Sequence, residues 1–212
     1  MNFCFILGGM QNRKHLLQKC ISALNQSKYK GTDAFLYFQG DSLDGVEGIS
    51  TFTDIVMDRK PRGVFTPRYE LMKRFSREYD FTILIDDDLY ISPHSNFEKS
   101  ISLFKQLPFV GCVSGTNSKI VPGKIERQPD VNIDGGLVFS RESIEVILDY
   151  FKDQERDYTF DVFWLLLYVK GYDNYKDWRT YSDHRVTVKV DGKFSGFNWA
   201  RANLPYVPMM QE

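Results

Sequence analysis

Phe81-Thr82-Ile83-Leu84-Ile85-Asp86-Asp87-Asp88-Leu89-Tyr90-Ile91 is the stretch that decides how this chain is read. An apolar, β-branched run passes directly into three aspartates, the pattern of a buried central strand that ends at a cleft. Adjacent carboxylates repel one another and lose hydration when partly covered, so a fold that gathers them needs a cation to hold them. A divalent metal is the first candidate for that cation, and a solvated acidic turn is the alternative. Hard oxygen ligands select Mg2+ or Mn2+, ions that commonly neutralise a diphosphate.

Upstream of this stretch the pattern is strand, turn, helix, strand. Residues 2–7 are apolar and lead into Gly8-Gly9. From 13 to 25 Leu16, Leu17, Cys20, Ile21 and Leu24 recur at helical spacing. Lys30-Gly31-Thr32 closes that helix, and residues 34–38 form a second strand ending in Gln39-Gly40-Asp41-Ser42. Such a βαβ unit places its ligand at the carboxyl ends of the strands. Neither GxGxxG nor GxxxxGK[ST] is present, which excludes the dinucleotide fingerprint and the P-loop. A weak third strand is expected within 48–56, and a helix from about Pro67. Lys73, Arg74 and Arg77 read as a solvated helix face. Arg59, Arg62 and Arg68 precede or open the helix, where guanidinium groups can meet phosphate.

Downstream, residues 96–107 carry a helical pattern, 109–114 a short strand, and 115–129 an aperiodic loop with two prolines and two glycines. Asp134-Gly135-Gly136 precedes another strand. Ser140 then stands as the N-cap of a helix running through Phe151. Residues 160–169 form an apolar helix that stops at Gly171 and holds a single acid, Asp161, which serves either the helix dipole or a cleft. Val186, Val188 and Val190 alternate, and an aromatic, proline-containing segment at 194–208 follows.

The chain has 212 residues, enough for one domain with a substantial core, and 42% of them are apolar. A net charge of −1 gives no global reason to expect nucleic acid or an anionic membrane as partner. Cys4, Cys20 and Cys112 are odd in number and lie in apolar surroundings, so they read as reduced core thiols of a cytosolic protein. The N-terminus lacks the basic segment of a signal peptide, and no run approaches a membrane span. HExxH and GxSxG are absent.

Three features in order resemble a GT-A fold glycosyltransferase. Asp86-Asp87-Asp88-Leu89-Tyr90-Ile91 is similar to the DDDxYV form of the DxD motif in the Fringe-like and β-1,3-galactosyltransferase branch. The segment Gly135-Gly136-Leu137-Val138-Phe139-Ser140-Arg141 resembles that branch's glycine-rich segment. Phe160-Asp161-Val162 through Gly171 resembles its acidic helix.

The resemblance implies an α/β fold: a single Rossmann-like GT-A domain over 1–212, with a mostly parallel central sheet flanked by helices. Its donor half would span about 1–91 and its acceptor half about 92–212. It implies a nucleotide-diphosphate sugar donor, a UDP-sugar first, with Mn2+ or Mg2+. Asp86 would face the donor ribose or the metal, with Asp87 beside it, and Asp88 would be the main metal ligand. Asp161 would be the general base of an inverting transfer. His184 either completes the metal shell or is an ordinary histidine. By position in such a fold, the region up to Arg13 and Asp41 would hold base and ribose, with Arg62 and Arg68 near the phosphates. Asp134, Gly135, Gly136 and Trp178 would meet the acceptor, Trp178 being otherwise a packing residue. The acceptor class stays open among a glycan, a small molecule and a hydroxylated base in DNA. Members of that branch are membrane-anchored and lumenal, so a chain with no anchor and few cysteines is expected to be a cytoplasmic microbial or viral enzyme. The other functional classes compatible with these residues are a nucleotidyltransferase and a non-catalytic metal- or carbohydrate-binding module.

Overall fold

The computed structural model describes residues 2–60, 62–87, 89–91, 95–116, 122–128, 136–152, 162–181 and 183–184. Its strands are β1 (Phe3–Met10), β2 (Ala34–Gln39), β3 (Asp54–Asp58), β4 (Phe81–Asp86), β5 (Leu89–Tyr90), β6 (Val110–Thr116), β7 (Ile125–Arg127), β8 (Leu137–Ser140), β9 (Asp173–Tyr181) and β10 (Asp183–His184). Its α-helices are α1 (Lys14–Gln26), α2 (Phe65–Phe75), α3 (Phe97–Gln106), α4 (Arg141–Phe151) and α5 (Val162–Val169). Eight strands form one sheet in the order β3-β2-β1-β4-β8-β6-β9-β7. Pairing is parallel from β3 through β4 and at β6–β9. It is antiparallel at β4–β8, β8–β6 and β9–β7. The sheet expected to be mostly parallel is therefore wholly parallel across β3-β2-β1-β4 and mixed beyond β4.

Strand alternation divides the core into two layers. Phe5, Leu7, Ile83 and Ile85 face α1 and α3, where Leu17, Ile21, Phe97 and Ile101 cover them. Cys4, Ile6 and Leu84 face the opposite way, against α2, α4 and α5. Burial on both faces explains why β1 and β4 read as nearly continuous apolar runs.

Local chemistry fixes the element ends. Ser140 accepts from the Ser143 N–H at 3.2 Å and caps α4 as expected, and Asn96 caps α3 by accepting from Lys99 N–H at 3.2 Å. Helix α5 ends in a Schellman turn: Gly171 adopts φ 92°, its N–H donates to Tyr168 O, and Tyr172 N–H donates to Leu167 O. Helix α2 begins at Phe65 rather than Pro67, since a first-turn position tolerates a residue without N–H. The third strand, Asp54–Asp58, starts late in the expected window and runs past its end, after a short 3-10 turn at Ile49–Thr51. None of the described helices is long and apolar enough to cross a membrane.

All three cysteines are free and buried. Burial pushes the Cys4 thiol up to about 12 and the Cys112 thiol well above its usual range. At pH 8 the folded protein is therefore expected to react with far less than one equivalent of a disulfide reagent such as DTNB. All three thiols should react once guanidinium unfolds the chain. Prompt reaction of the folded protein would contradict this core.

Candidate functional site

The parallel strands deliver their carboxyl ends to one edge. There Gly8 of β1 stands beside Asp86 of β4 and Tyr37 of β2, Gln39 beside Met10, and Asp58 beside Gln39. The loops after β1 and β2 touch closely, because a Cβ on Gly40 would collide with the Gln11 side chain and the Phe38 ring.

Two arginines hold the acidic turn. Asp86 has the parity of Leu84 and so projects toward α2, where Arg68 reaches it with Nη2. Arg68 is 6% exposed, and its Nη1 also donates to Val64 O at 2.6 Å. Asp87 has the parity of Ile85 and projects toward the α1 layer, where Arg13 Nη2 lies 2.9 Å from its Oδ1. Asp87 is 2% exposed. Asp86 and Asp87 are thus each held by a guanidinium group of the chain itself, one from each layer. Asp88 lies outside the described residues.

A second set of groups shapes the rim. Asp58 accepts from Lys60 N–H at 2.9 Å, from Tyr37 OH at 2.7 Å and from Arg62 Nε at 3.1 Å. These bonds, the Lys60 amide first, hold its carboxyl below the ordinary range. Burial, then the Asp58 carboxylate, pushes the Tyr37 phenol up to about 12. Gln39, not singled out from sequence, fastens the same loop by donating from Nε2 to Gly63 O at 2.9 Å and accepting from Arg62 N–H. Asp41 and Arg59 sit outermost, exposed and 3.6 Å apart. Arg62 thus faces Asp58, and Arg68 faces Asp86.

The acceptor-side candidates are only partly described. Asp134, Gly135 and Asp161 lie outside the described residues. Gly136 adopts φ 74°, accepts from Gly115 N–H at 3.3 Å, and leads into β8 beside the end of β4. The backbone of Trp178 lies in β9, between Asp177 and Arg179. Asp177, also missed in the sequence, is fully buried. Arg179 holds it through Nε at 2.8 Å and Nη2 at 3.0 Å, and Ser100 Oγ donates to it at 3.2 Å. The i, i+2 spacing of acid and arginine on one strand face was the only available signal.

Strand β9 runs parallel to β6 and returns the chain to the acidic turn. There β10 pairs antiparallel with β5, setting His184 opposite Leu89 and Asp183 opposite Tyr90. His184 backbone therefore stands beside the residue that follows Asp88. Among the described residues no group of three or more His, Cys, Asp or Glu side chains is arranged to hold a metal. A groove of about 380 Å³ lined by Phe81, Phe104, Phe109 and Tyr172 opens at the amino-terminal edge of β4, away from these carboxylates.

No family model matches the sequence, and no curated protein does. Solved structures do match in fold. S. aureus TarS aligns with TM-score 0.60 and 14% identity, over 88% of this chain and 37% of its own. TarS 1-349 in complex with UDP aligns with TM-score 0.56 and 13% identity, over 86% of this chain and 59% of its own. The mannosyltransferase PcManGT from Pyrobaculum calidifontis, in complex with GDP-Man and Mn2+, aligns with TM-score 0.57 and 13% identity, over 81% of this chain and 53% of its own. The chain thus has a glycosyltransferase-type α/β fold and spans less than two thirds of the length of these structures.

Proposed function

We propose that the chain is a glycosyltransferase that moves a sugar from a nucleoside-diphosphate donor to a hydroxyl acceptor. The observation that carries this reading is the acidic turn at the carboxyl end of β4, beside β1 and flanked by Arg13 and Arg68 from the two helical layers. Open α/β sheets bind their ligand at that edge. Structures of the same fold, solved with UDP and with GDP-Man and Mn2+, agree with it.

In this reading the half up to about residue 91 binds the donor. Asp41 and the loop fastened by Gln39 frame the base and ribose. Arg13, Arg62 and Arg68 lie where a diphosphate would enter, and Asp86 and Asp87 hold two of those guanidinium groups in place. Mn2+ or Mg2+ would be held by Asp88, with Asp86 adjacent and His184 brought alongside by the β5–β10 pairing. When bound, such an ion offsets charge on the departing diphosphate. The half from about residue 92 takes the acceptor, with Gly136 and the neighbouring Asp134, Gly135 and Trp178 as its contacts. Asp161, just before α5, removes the proton from the acceptor hydroxyl in an inverting displacement. The leaving nucleoside diphosphate departs from the opposite side of the sugar carbon.

Thermal unfolding with Mn2+ and panels of UDP-sugars, GDP-sugars and nucleoside triphosphates tests the reading. A ligand at 100 times its Kd stabilises by about 2.7 kcal/mol, so a nucleotide sugar should raise Tm clearly. Stabilisation by triphosphates but by no sugar nucleotide would favour a nucleotidyltransferase instead. Asp161→Asn is expected to keep that donor-induced shift while losing at least about 10²-fold in transfer, the scale of a general base. Unchanged turnover in this variant would move the base elsewhere.

A further inference from the structure

Adjacent carboxylates at a strand end normally need an added cation before they adopt one arrangement. Here Asp86 and Asp87 point to opposite faces of the sheet, and each meets a guanidinium from a different helical layer. Each pair is shielded on one side: the Asp87 side chain is 3% exposed against 24% for Arg13, and that of Arg68 8% against 21% for Asp86. Each pair spans separate elements. Arg13 ties the start of α1 to the residue after β4, and Arg68 ties α2 to the end of β4.

We propose that Arg13 and Arg68, besides facing the diphosphate, set Asp86 and Asp87 in their binding geometry before any metal arrives, so that nucleotide binding does not require the metal. This rests on the donor-site reading above. The metal's contribution then falls on the transfer step. The physical reason is that a guanidinium–carboxylate pair shielded from water is pre-organised and weakly screened, so the nucleotide meets a turn already in place. Removing one guanidinium removes an internal cation, and an external one must then substitute for it.

The test is isothermal titration of UDP and of GDP into the full chain, in Mn2+ and in EDTA, for the wild type and for Arg13→Gln. The wild type should bind one of the two nucleotides in EDTA within about tenfold of its Kd in Mn2+, a difference of about 1.4 kcal/mol or less. In Arg13→Gln the ratio of the two Kd values should widen by a further tenfold or more, mostly through weaker binding in EDTA. A merely structural role would weaken both conditions equally and leave the ratio unchanged. Arg68→Gln supplies the same ratio should Arg13→Gln fail to fold, and Arg13→Lys, which keeps the charge, should return the ratio toward that of the wild type. Binding by the wild type in Mn2+ but not in EDTA, or an unchanged ratio in the folded variant, overturns the inference. Binding of neither nucleotide under either condition overturns the donor-site reading, and this inference with it.

Discussion

Asp88→Ala is expected to abolish transfer from a nucleotide sugar, and metal-dependent hydrolysis of that donor, with a loss of at least about 10²–10³-fold, the scale of removing one preorganised charge-stabilising group. Asp88 follows two carboxylates bound by arginine and precedes Leu89, opposite which β10 sets His184. As the main metal ligand in this reading, it has no substitute in the turn. Asp86 and Asp87 each already commit one carboxylate oxygen to a guanidinium group, which weakens them as replacements. Assay of nucleoside diphosphate release in Mn2+ reads the effect, and folding of the variant is checked by its unfolding transition. Full activity in Asp88→Ala would remove this assignment.

Arg68→Met should have the largest effect on stability, about 3 kcal/mol, the lower end of the range for breaking a buried ion pair. Methionine retains much of the side chain's apolar packing, so the loss reports the ion pair together with the bond to Val64 O. What remains is Asp86 beside Asp87 with one guanidinium gone, and its side chain is 21% exposed, which is why the lower end applies. Arg68→Met combined with Asp86→Asn should recover part of the loss, because no uncompensated charge is left. Urea unfolding of the wild type, both single variants and the double variant measures the coupling. Strict additivity would show that the pair contributes nothing beyond its separate parts.

The sequence carried the opening of the fold well, for a physical reason. Strands β1, β2 and β4 are buried on both faces, so their apolar runs stand out from the helical spacing of Leu16, Leu17, Cys20, Ile21 and Leu24 in α1. Ser140 and Gly171 were legible because a cap and a left-handed stop depend on one residue each. Strand β9 was not legible. It buries polar side chains on both faces, Asn174 and Lys176 on one and Asp177 on the other, so Asp173–Tyr181 lacks the apolar alternation that marks a strand. Its polar groups find partners in distant elements: Asn174 donates to Trp164 O, and Asp177 accepts from Ser100. Strand β7 is three residues long and was hidden inside what reads as a loop.

The candidate site divides in the same way. An acidic strand end announces itself in one dimension, whereas the arginines that hold it belong to other elements. Arg13 looked like the start of a helix and Arg68 like one of several basic residues around α2. Their roles follow only from the parity of Asp86 and Asp87 and from which helix covers each face. Lys73 and Arg74, by contrast, are exposed as their spacing suggested. Asp87, the least distinctive of the three aspartates in sequence, is the one buried against Arg13.

The most direct test of the central claim is a crystal structure of the chain with UDP or GDP and Mn2+. The account predicts the diphosphate at the carboxyl edge, between the ends of β1 and β4 and within hydrogen-bonding reach of Arg13 or Arg68. A nucleotide bound instead in the groove lined by Phe81, Phe104 and Phe109 at the opposite edge, or absent from that carboxyl edge at millimolar concentration, would contradict it.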